Sequence, residues 1–205
     1  DETAWQLFPK NLLVWQNKNE DLNVCYMNKA NPKECITVMA GITASGTKIP
    51  LLFVATGRTE QCENSQLGDV GPHWKIHSES GWVTEEVFLQ YLQMLRNHYG
   101  GIEGPNLYFV LDVYPSHRTD DVKNFAVGLN MELIFVPAGL TDEMQPLDRA
   151  CFGCLKAYAK RLFRERIKSD RNTIRKKSDA VEDMIRAWEN LPFHIIEKAW
   201  IFDDE

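Results

Sequence analysis

Two β-rich runs in the stretch ECITVMAGITASGTKIPLLFVATG constrain the fold more than any other feature of this 205-residue chain. The runs cover Cys35 to Thr43 and Ile49 to Ala55, and the turn sequence Ala-Ser-Gly-Thr separates them. β-branched and apolar residues favour strands, and a short glycine-containing turn between two such runs is typical of a β-hairpin. The sequence therefore predicts an antiparallel hairpin.

Helical and strand patterns alternate after this hairpin. Residues 57–73 are polar and rich in glycine, and they predict a loop. Thr84 is a typical helix N-cap, and apolar residues follow it at three- and four-residue spacing. The predicted elements are a strand around Trp74 to Ile76, a helix from Thr84 to Gly100, a strand at Leu107 to Leu111, a helix from about Thr119 to Leu129, a strand at Glu132 to Val136, a helix from about Pro146 to Ile167, and helices around Ser178 to Trp188 and Pro192 to Trp200. This order predicts an α/β fold, a mixed sheet flanked by helices, of which ribonuclease-H-like nucleases are one example.

Composition predicts one folded domain over residues 1–205, with 168–205 as a C-terminal helical extension. Apolar residues make up 44% and charged residues 25% of the chain, as in ordinary globular proteins. No stretch is apolar enough for a membrane span, and no signal-peptide pattern opens the chain. Residues 1 to about 33 show little periodicity.

The five cysteines are odd in number and irregularly spaced, which favours a reducing, intracellular compartment over a disulfide framework. Cys151 and Cys154 form a CxxC inside a helical pattern, with no second CxxC and no paired histidines nearby. Two buried small side chains are therefore expected rather than a zinc site.

Charge is strongly segregated along the chain. The net charge is −6, which would ordinarily argue against a nucleic-acid partner. Residues 156–177, however, contain ten Lys/Arg and two acids, or +8, which leaves −14 for all other residues. A solvated helix face and a phosphate-binding surface are both open interpretations of this block.

Three aspartates occupy unusual settings. Asp112 directly follows the apolar strand Leu107 to Leu111, Asp148 lies in the first turn of the long helix, and Asp1 precedes Glu-Thr. Taken singly, Asp112 is also explained as a turn cap before Pro115, and Asp148 as a charge that complements the helix dipole. If the three converge, their mutual repulsion predicts a bound cation. Oxygen ligands suit Mg²⁺ or Mn²⁺, and two such ions can serve phosphodiester chemistry.

The chain resembles the DDE endonuclease domain of pogo, Tigger and jerky-like transposases of the Tc1/mariner superfamily, a group related to centromere protein B. Five segments of residues 1 to about 165 carry this resemblance: DET at the start, ITVMAGITASGTKIPLLFVATG, SGWVTEEVFLQYL, LDVYPSH and VPAGLTDEMQPLDRACFGCLK. The last segment is the most specific because its pattern is long and unusual.

The resemblance implies a ribonuclease-H-like catalytic core that cuts and joins DNA, with Asp1, Asp112 and Asp148 as catalytic, metal-binding acids. It implies Mg²⁺ or Mn²⁺ as the cofactor, with two ions expected, and no organic cofactor. It also implies a DNA partner, no membrane, and a nuclear location. Lys156, Lys160, Arg161 and Arg164 are the candidate contacts to DNA phosphates. The alternative is a domesticated relative that acts as a DNA-associated or protein-interaction scaffold without catalysis.

Departures from the family pattern matter at several positions. Family members commonly read LDNAPSH, where this chain has Val113 and Tyr114, so the lining of the pocket is expected to differ. His117 matches the family's PSH, and a phosphate contact, loop positioning or a simple turn hydrogen bond are all open for it.

Other expectations concern what surrounds this domain. The family's helix-turn-helix region is not seen in this sequence, and a catalytic acid at residue 1 is awkward beside a free ammonium group. We therefore expect a fragment whose first strand and DNA-reading region lie upstream. A homodimer formed through exposed aromatic residues is a further hypothesis, and its candidates are Trp5, Trp15, Trp188 and Trp200, although buried positions in the core are expected for most of these.

Overall fold

The computed structural model describes residues 1–6, 35–169 and 176–201. Its strands are β1 (Glu2–Gln6), β2 (Cys35–Met39), β3 (Leu52–Thr56), β4 (Trp74–Ser78), β5 (Leu107–Leu111) and β6 (Met131–Phe135). Its α-helices are α1 (Glu60–Leu67), α2 (Glu85–His98), α3 (Asp120–Gly128), α4 (Thr141–Met144), α5 (Phe152–Ser169), α6 (Lys177–Glu189) and α7 (Phe193–Ala199). A 3₁₀ turn covers Pro115–His117, and a π-helical turn, Leu147–Cys151, leads into α5.

The strands form a mixed sheet and a smaller parallel pair. The order in the larger sheet is β1-β2-β3-β4, with the first two pairings antiparallel and the third parallel, while β5 pairs with β6 in parallel. Asp1 extends the β1–β2 ladder, because its backbone exchanges two hydrogen bonds of 2.9 Å with Ala40. The predicted hairpin and the predicted mixed sheet flanked by helices are confirmed.

Alternate residues of β3 supply two cores on opposite faces of the sheet. Phe53 and Ala55 pack into a cluster that includes residues of α5 and α6. Leu52 and Val54 pack into a second cluster that includes residues of α2. The sheet is therefore covered by helices on both faces.

The helix predicted from Thr84 is observed as α2, and the Thr84 hydroxyl accepts a hydrogen bond from the Val87 amide at 3.3 Å. The loop predicted over residues 57–73 is wrong in part, because it contains α1. This helix buries only one residue, Leu67, so it carries almost no apolar periodicity that a sequence could reveal.

One expectation about side-chain burial is corrected, and another is confirmed. Cys151 is buried as predicted, but Cys154 is exposed on α5. Trp5 and Trp188 are 3% and 2% exposed, so neither is available for a dimer contact. Trp15 lies outside the described residues, and the homodimer stays a prediction.

Within the described part of the chain, none of the helices is long and apolar enough to cross a bilayer.

Candidate functional site

The candidate site lies where β1 meets the carboxyl end of β5. Asp1 and Glu2 open the first strand, and Asp112 directly follows the last residue of β5, as predicted. Consecutive strand residues point to opposite faces, so the carboxylates of Asp1 and Glu2 diverge from each other. Asp1, Glu2 and Asp112 nevertheless line a common cavity of about 190 Å³, here called the acidic cavity, together with Trp82 and Tyr114.

His117 holds two of these carboxylates together. The 3₁₀ turn that contains it folds back on Asp112, so its Nδ1 lies 2.9 Å from Asp112 Oδ1. Its Nε2 lies 2.7 Å from Glu2 Oε1. The ring is 1% exposed and packs against Phe88 with 4.2 Å between ring centroids. A ring buried in this way is closed to a DNA phosphate, and its contacts support loop and side-chain positioning.

His117 and Asp112 each favour the charged form of the other. Burial disfavours a charged His117, but its hydrogen bonds to Asp112 and Glu2 and the charges of both carboxylates raise its pKa to about 9. For Asp112, burial acts to raise the pKa, and the contact with His117 and the 3.3 Å hydrogen bond from the Tyr114 amide bring it below its usual value. His117 is therefore an imidazolium at neutral pH, placed between two carboxylates.

Glu2, Asp112 and His117 each offer a ligand atom within 4.8 Å of the others, a spacing that could hold a metal ion. However, the two ring nitrogens face different carboxylates, and a histidine ligates one ion through a single deprotonated nitrogen. An ion at this point would replace both charged hydrogen bonds of the ring. The geometry favours His117 as the counter-ion of Glu2 and Asp112.

Asp1 carries a buried carboxylate oxygen whose hydrogen bonding is incomplete. Its Oδ1 accepts a hydrogen bond of 2.9 Å from the Glu2 amide. Its Oδ2 is buried and accepts no hydrogen bond from the described residues. A buried carboxylate oxygen without a partner is costly, and a divalent ion would satisfy it. The hydrogen bonds that Asp112 makes with Tyr114 and His117 also both fall on Oδ1.

Asp148 lies in the π-helical turn before α5 and is not among the residues that line the acidic cavity. Its negative charge nevertheless acts on the amino group of Asp1, a residue that does line this cavity. Burial lowers the pKa of the Asp1 amino group, while the charges of Glu2, Asp112 and Asp148 oppose that change. The structure thus brings Asp1 and Asp112 onto one cavity and leaves Asp148 within electrostatic range of them.

Glu2 is the site residue that sequence reasoning missed. Strand alternation places it on the opposite face from Asp1, and no local pattern pairs it with a histidine 115 positions away. The only available signal was its position inside the DET segment.

Three cations of the basic block lie on one face of α5. Lys156, Lys160 and Arg164 recur every fourth residue, so they lie along one side of the helix that starts from the Asp148 turn. Arg161 lies to one side, with its guanidinium 4.4 Å from the Tyr158 ring centroid and its Nε 3.7 Å from Glu165. Lys160 is half-buried, and Arg164 is exposed.

Comparison with known proteins identifies relatives over most of the chain. A family model described as "DDE superfamily endonuclease" matches residues 33–200, which include Asp112 and Asp148 and begin after Asp1. The human protein "Pogo transposable element with KRAB domain" is 29% identical over 115 residues, and its mouse counterpart is 28% identical over the same length. These alignments cover 55% of this chain and 18% of each relative, so the chain corresponds to a small part of those proteins.

Among solved structures, the chain is similar to "Mos1 transposase paired-end complex with left transposon end". The TM-score is 0.44 and the identity 14%, over 99% of this chain and 55% of that one.

Proposed function

We propose, from the premise that this chain belongs to the DDE superfamily endonuclease family, that it is a metal-dependent DNA endonuclease and strand transferase, the catalytic core of a transposase. One observation carries the proposal: a buried carboxylate oxygen of Asp1, in the acidic cavity that Asp112 also lines, has no hydrogen-bond partner among the described residues. Such an arrangement is unfavourable in a protein that binds no cation there. A transposase core is thus the function that this site supports best.

The residues proposed to hold two Mg²⁺ or Mn²⁺ ions are Asp1, Asp112 and Asp148. When bound, such ions activate a water or a sugar hydroxyl for attack on a phosphodiester and stabilise the leaving oxygen. The chain's own part is positioning. His117 and the Tyr114 amide bind Oδ1 of Asp112, which fixes the orientation of this carboxylate and leaves Oδ2 for a ligand.

DNA is the proposed partner, and the nucleus is the proposed location. Lys156, Lys160 and Arg164 lie on one face of α5 and would contact successive phosphates, with Arg161 beside them. The phosphate-binding interpretation also agrees with the position of this face, since α5 begins at the turn that carries Asp148. A bound backbone would therefore run towards the acidic cavity.

Metal titration of thermal unfolding tests this function without a DNA substrate. Mg²⁺ or Mn²⁺ at a hundredfold excess over Kd should stabilise the wild type by about 2.7 kcal/mol, and Asp112→Asn should abolish that gain. Asp120→Asn is the matched control, because the Asp120 side chain is 93% exposed on α3 and does not line the acidic cavity. Its gain should equal that of the wild type.

If neither Mg²⁺ nor Mn²⁺ changes the melting temperature of the wild type, the metal-dependent core is refuted and the scaffold alternative is favoured. Equal gains in wild type and Asp112→Asn would refute the assignment of Asp112. Each comparison uses the metal-induced change within one variant, so the loss of the His117 contact in Asp112→Asn does not affect it.

A further inference from the structure

Two aromatic side chains line the acidic cavity and are about half exposed to solvent. Trp82 is 52% exposed and Tyr114 is 50% exposed, and both line the cavity beside Asp1, Glu2 and Asp112. We call this pair the aromatic rim. Trp5 and Trp188, by contrast, are almost fully buried. Large apolar surface left exposed next to charged groups is a feature of binding sites.

The backbone that carries Trp82 is held firmly. Its carbonyl accepts a 2.7 Å hydrogen bond from the Ser78 hydroxyl, and its amide donates to Ser80 Oγ at 3.3 Å. The preceding Gly81 carbonyl accepts a buried 2.8 Å hydrogen bond from Thr37 on β2. Gly81 has φ +74°, and a Cβ there would lie 2.3 Å from Thr56 Oγ1, so only glycine fits this close approach. Trp82 is thus presented from a fixed loop.

Tyr114 is fixed in a similar way. Its amide donates to Asp112 Oδ1, and its ring lies 5.5 Å from the His117 ring, centroid to centroid. The same contacts that orient Asp112 therefore orient Tyr114.

We propose that the aromatic rim is a binding subsite for an unpaired nucleobase next to the phosphate that reacts. This inference rests on the proposed function, because a phosphate drawn to cations in the cavity brings its flanking bases to the cavity wall. The faces of paired bases are covered by their neighbours in a duplex, so only an unpaired or extruded base can stack on Trp82 or Tyr114. Every base has a π-face, so the subsite distinguishes unpaired from paired bases and does not distinguish one base type from another.

Oligonucleotide binding in Ca²⁺, with Mg²⁺ and Mn²⁺ omitted, tests the subsite. The probes are a blunt duplex and the same duplex with a short single-stranded overhang. Trp82→Ala and Tyr114→Ala should each weaken binding of the overhang probe by about 5- to 140-fold, and Trp82→Phe by less because a stacking ring remains. Binding of the blunt duplex should be unchanged.

Tyr108→Ala is the matched control, because Tyr108 is 67% exposed on β5 but does not line the acidic cavity. It should bind both probes as the wild type does. Equal affinity of Trp82→Ala and wild type for the overhang probe, an equal loss on both probes, or no binding of that probe by the wild type would overturn the proposal. Trp82→Ala should keep the metal-induced stabilisation of the wild type, so failure of the subsite and failure of the metal centre give different results.

Discussion

The Nε2 atom of His117 lies 2.7 Å from Oε1 of Glu2, across 115 positions of the chain. This contact joins the first strand to the turn after β5 and gives the site a charged centre that neither segment has alone. Because the ring also binds Asp112, three residues of the site share one hydrogen-bond network. Such networks make the orientation of each carboxylate depend on the others.

Folding stability should depend on pH through His117. Its pKa is raised from 6.5 to about 9, so the stabilisation is complete below pH 6.5 and is lost as pH rises through 9. In EDTA, the free energy of unfolding of the wild type minus that of His117→Gln should shrink by about 3 kcal/mol over this window. Urea unfolding at several pH values measures it. A difference that stays constant with pH would contradict the prediction.

His73 should show the opposite pH dependence. Its Nδ1 accepts a 3.0 Å hydrogen bond from the Leu51 amide, and burial holds the pKa of the ring below its usual 6.5 despite the charge of Glu189. The neutral ring is therefore favoured in the folded state, and its stabilisation is lost as pH falls below 6.5. Relative to His73→Asn, which keeps an acceptor but does not titrate, the wild type should weaken in acid. A parallel pH dependence of both proteins would refute this.

Lys48 should anchor the hairpin to the end of α6. Its Nζ donates to the carbonyls of Trp188 at 2.9 Å, Glu189 at 2.7 Å and Leu191 at 3.3 Å, which lie at and just after the end of α6. Lys48→Met should cost about 1–3 kcal/mol in urea unfolding. Lys198→Met, at an exposed position of α7, should change stability by less than about 0.5 kcal/mol. Equal effects of the two substitutions would contradict the assigned role.

Two acids that contact the same atom of Arg166 should contribute differently to folding stability, because they differ in burial. Its Nη2 lies 3.0 Å from both Glu182 and Asp183, but their side chains are 58% and 1% exposed. Asp183→Asn should destabilise the fold by about 1–3 kcal/mol, because a buried charged hydrogen bond is weakened. Glu182→Gln should cost less than about 1 kcal/mol. Thermal unfolding of both variants checks the order, and a larger loss from Glu182→Gln would reverse it.

DNA binding should depend on salt through the basic face of α5. Lys160→Ala should lower the slope of log affinity against log salt by about 1, for any sequence, if Lys160 contacts one phosphate. Lys198→Ala serves as the control of equal charge and should leave the slope unchanged. Identical slopes for wild type and Lys160→Ala would return this face to a solvated helix surface.

The sequence alone determined the chain's family and most of the element order. Apolar runs placed β5 and hence Asp112 at a strand end, Thr84 marked the start of α2, and the QPLD segment pointed to the DDE family, which the family match confirms. The predicted ribonuclease-H-like class agrees with the observed sheet flanked by helices. These features are readable because periodicity and caps depend on residues that are close in the chain.

Only the tertiary structure decided which side chains meet. The Glu2–His117–Asp112 network, the partnerless oxygen of Asp1 and the aromatic rim each join segments that no local pattern relates. Helix α1 and the exposure of Cys154 were equally invisible, because both depend on which surface a neighbouring element covers. Burial and pairing are properties of packed surfaces, and packing is settled by the whole chain at once.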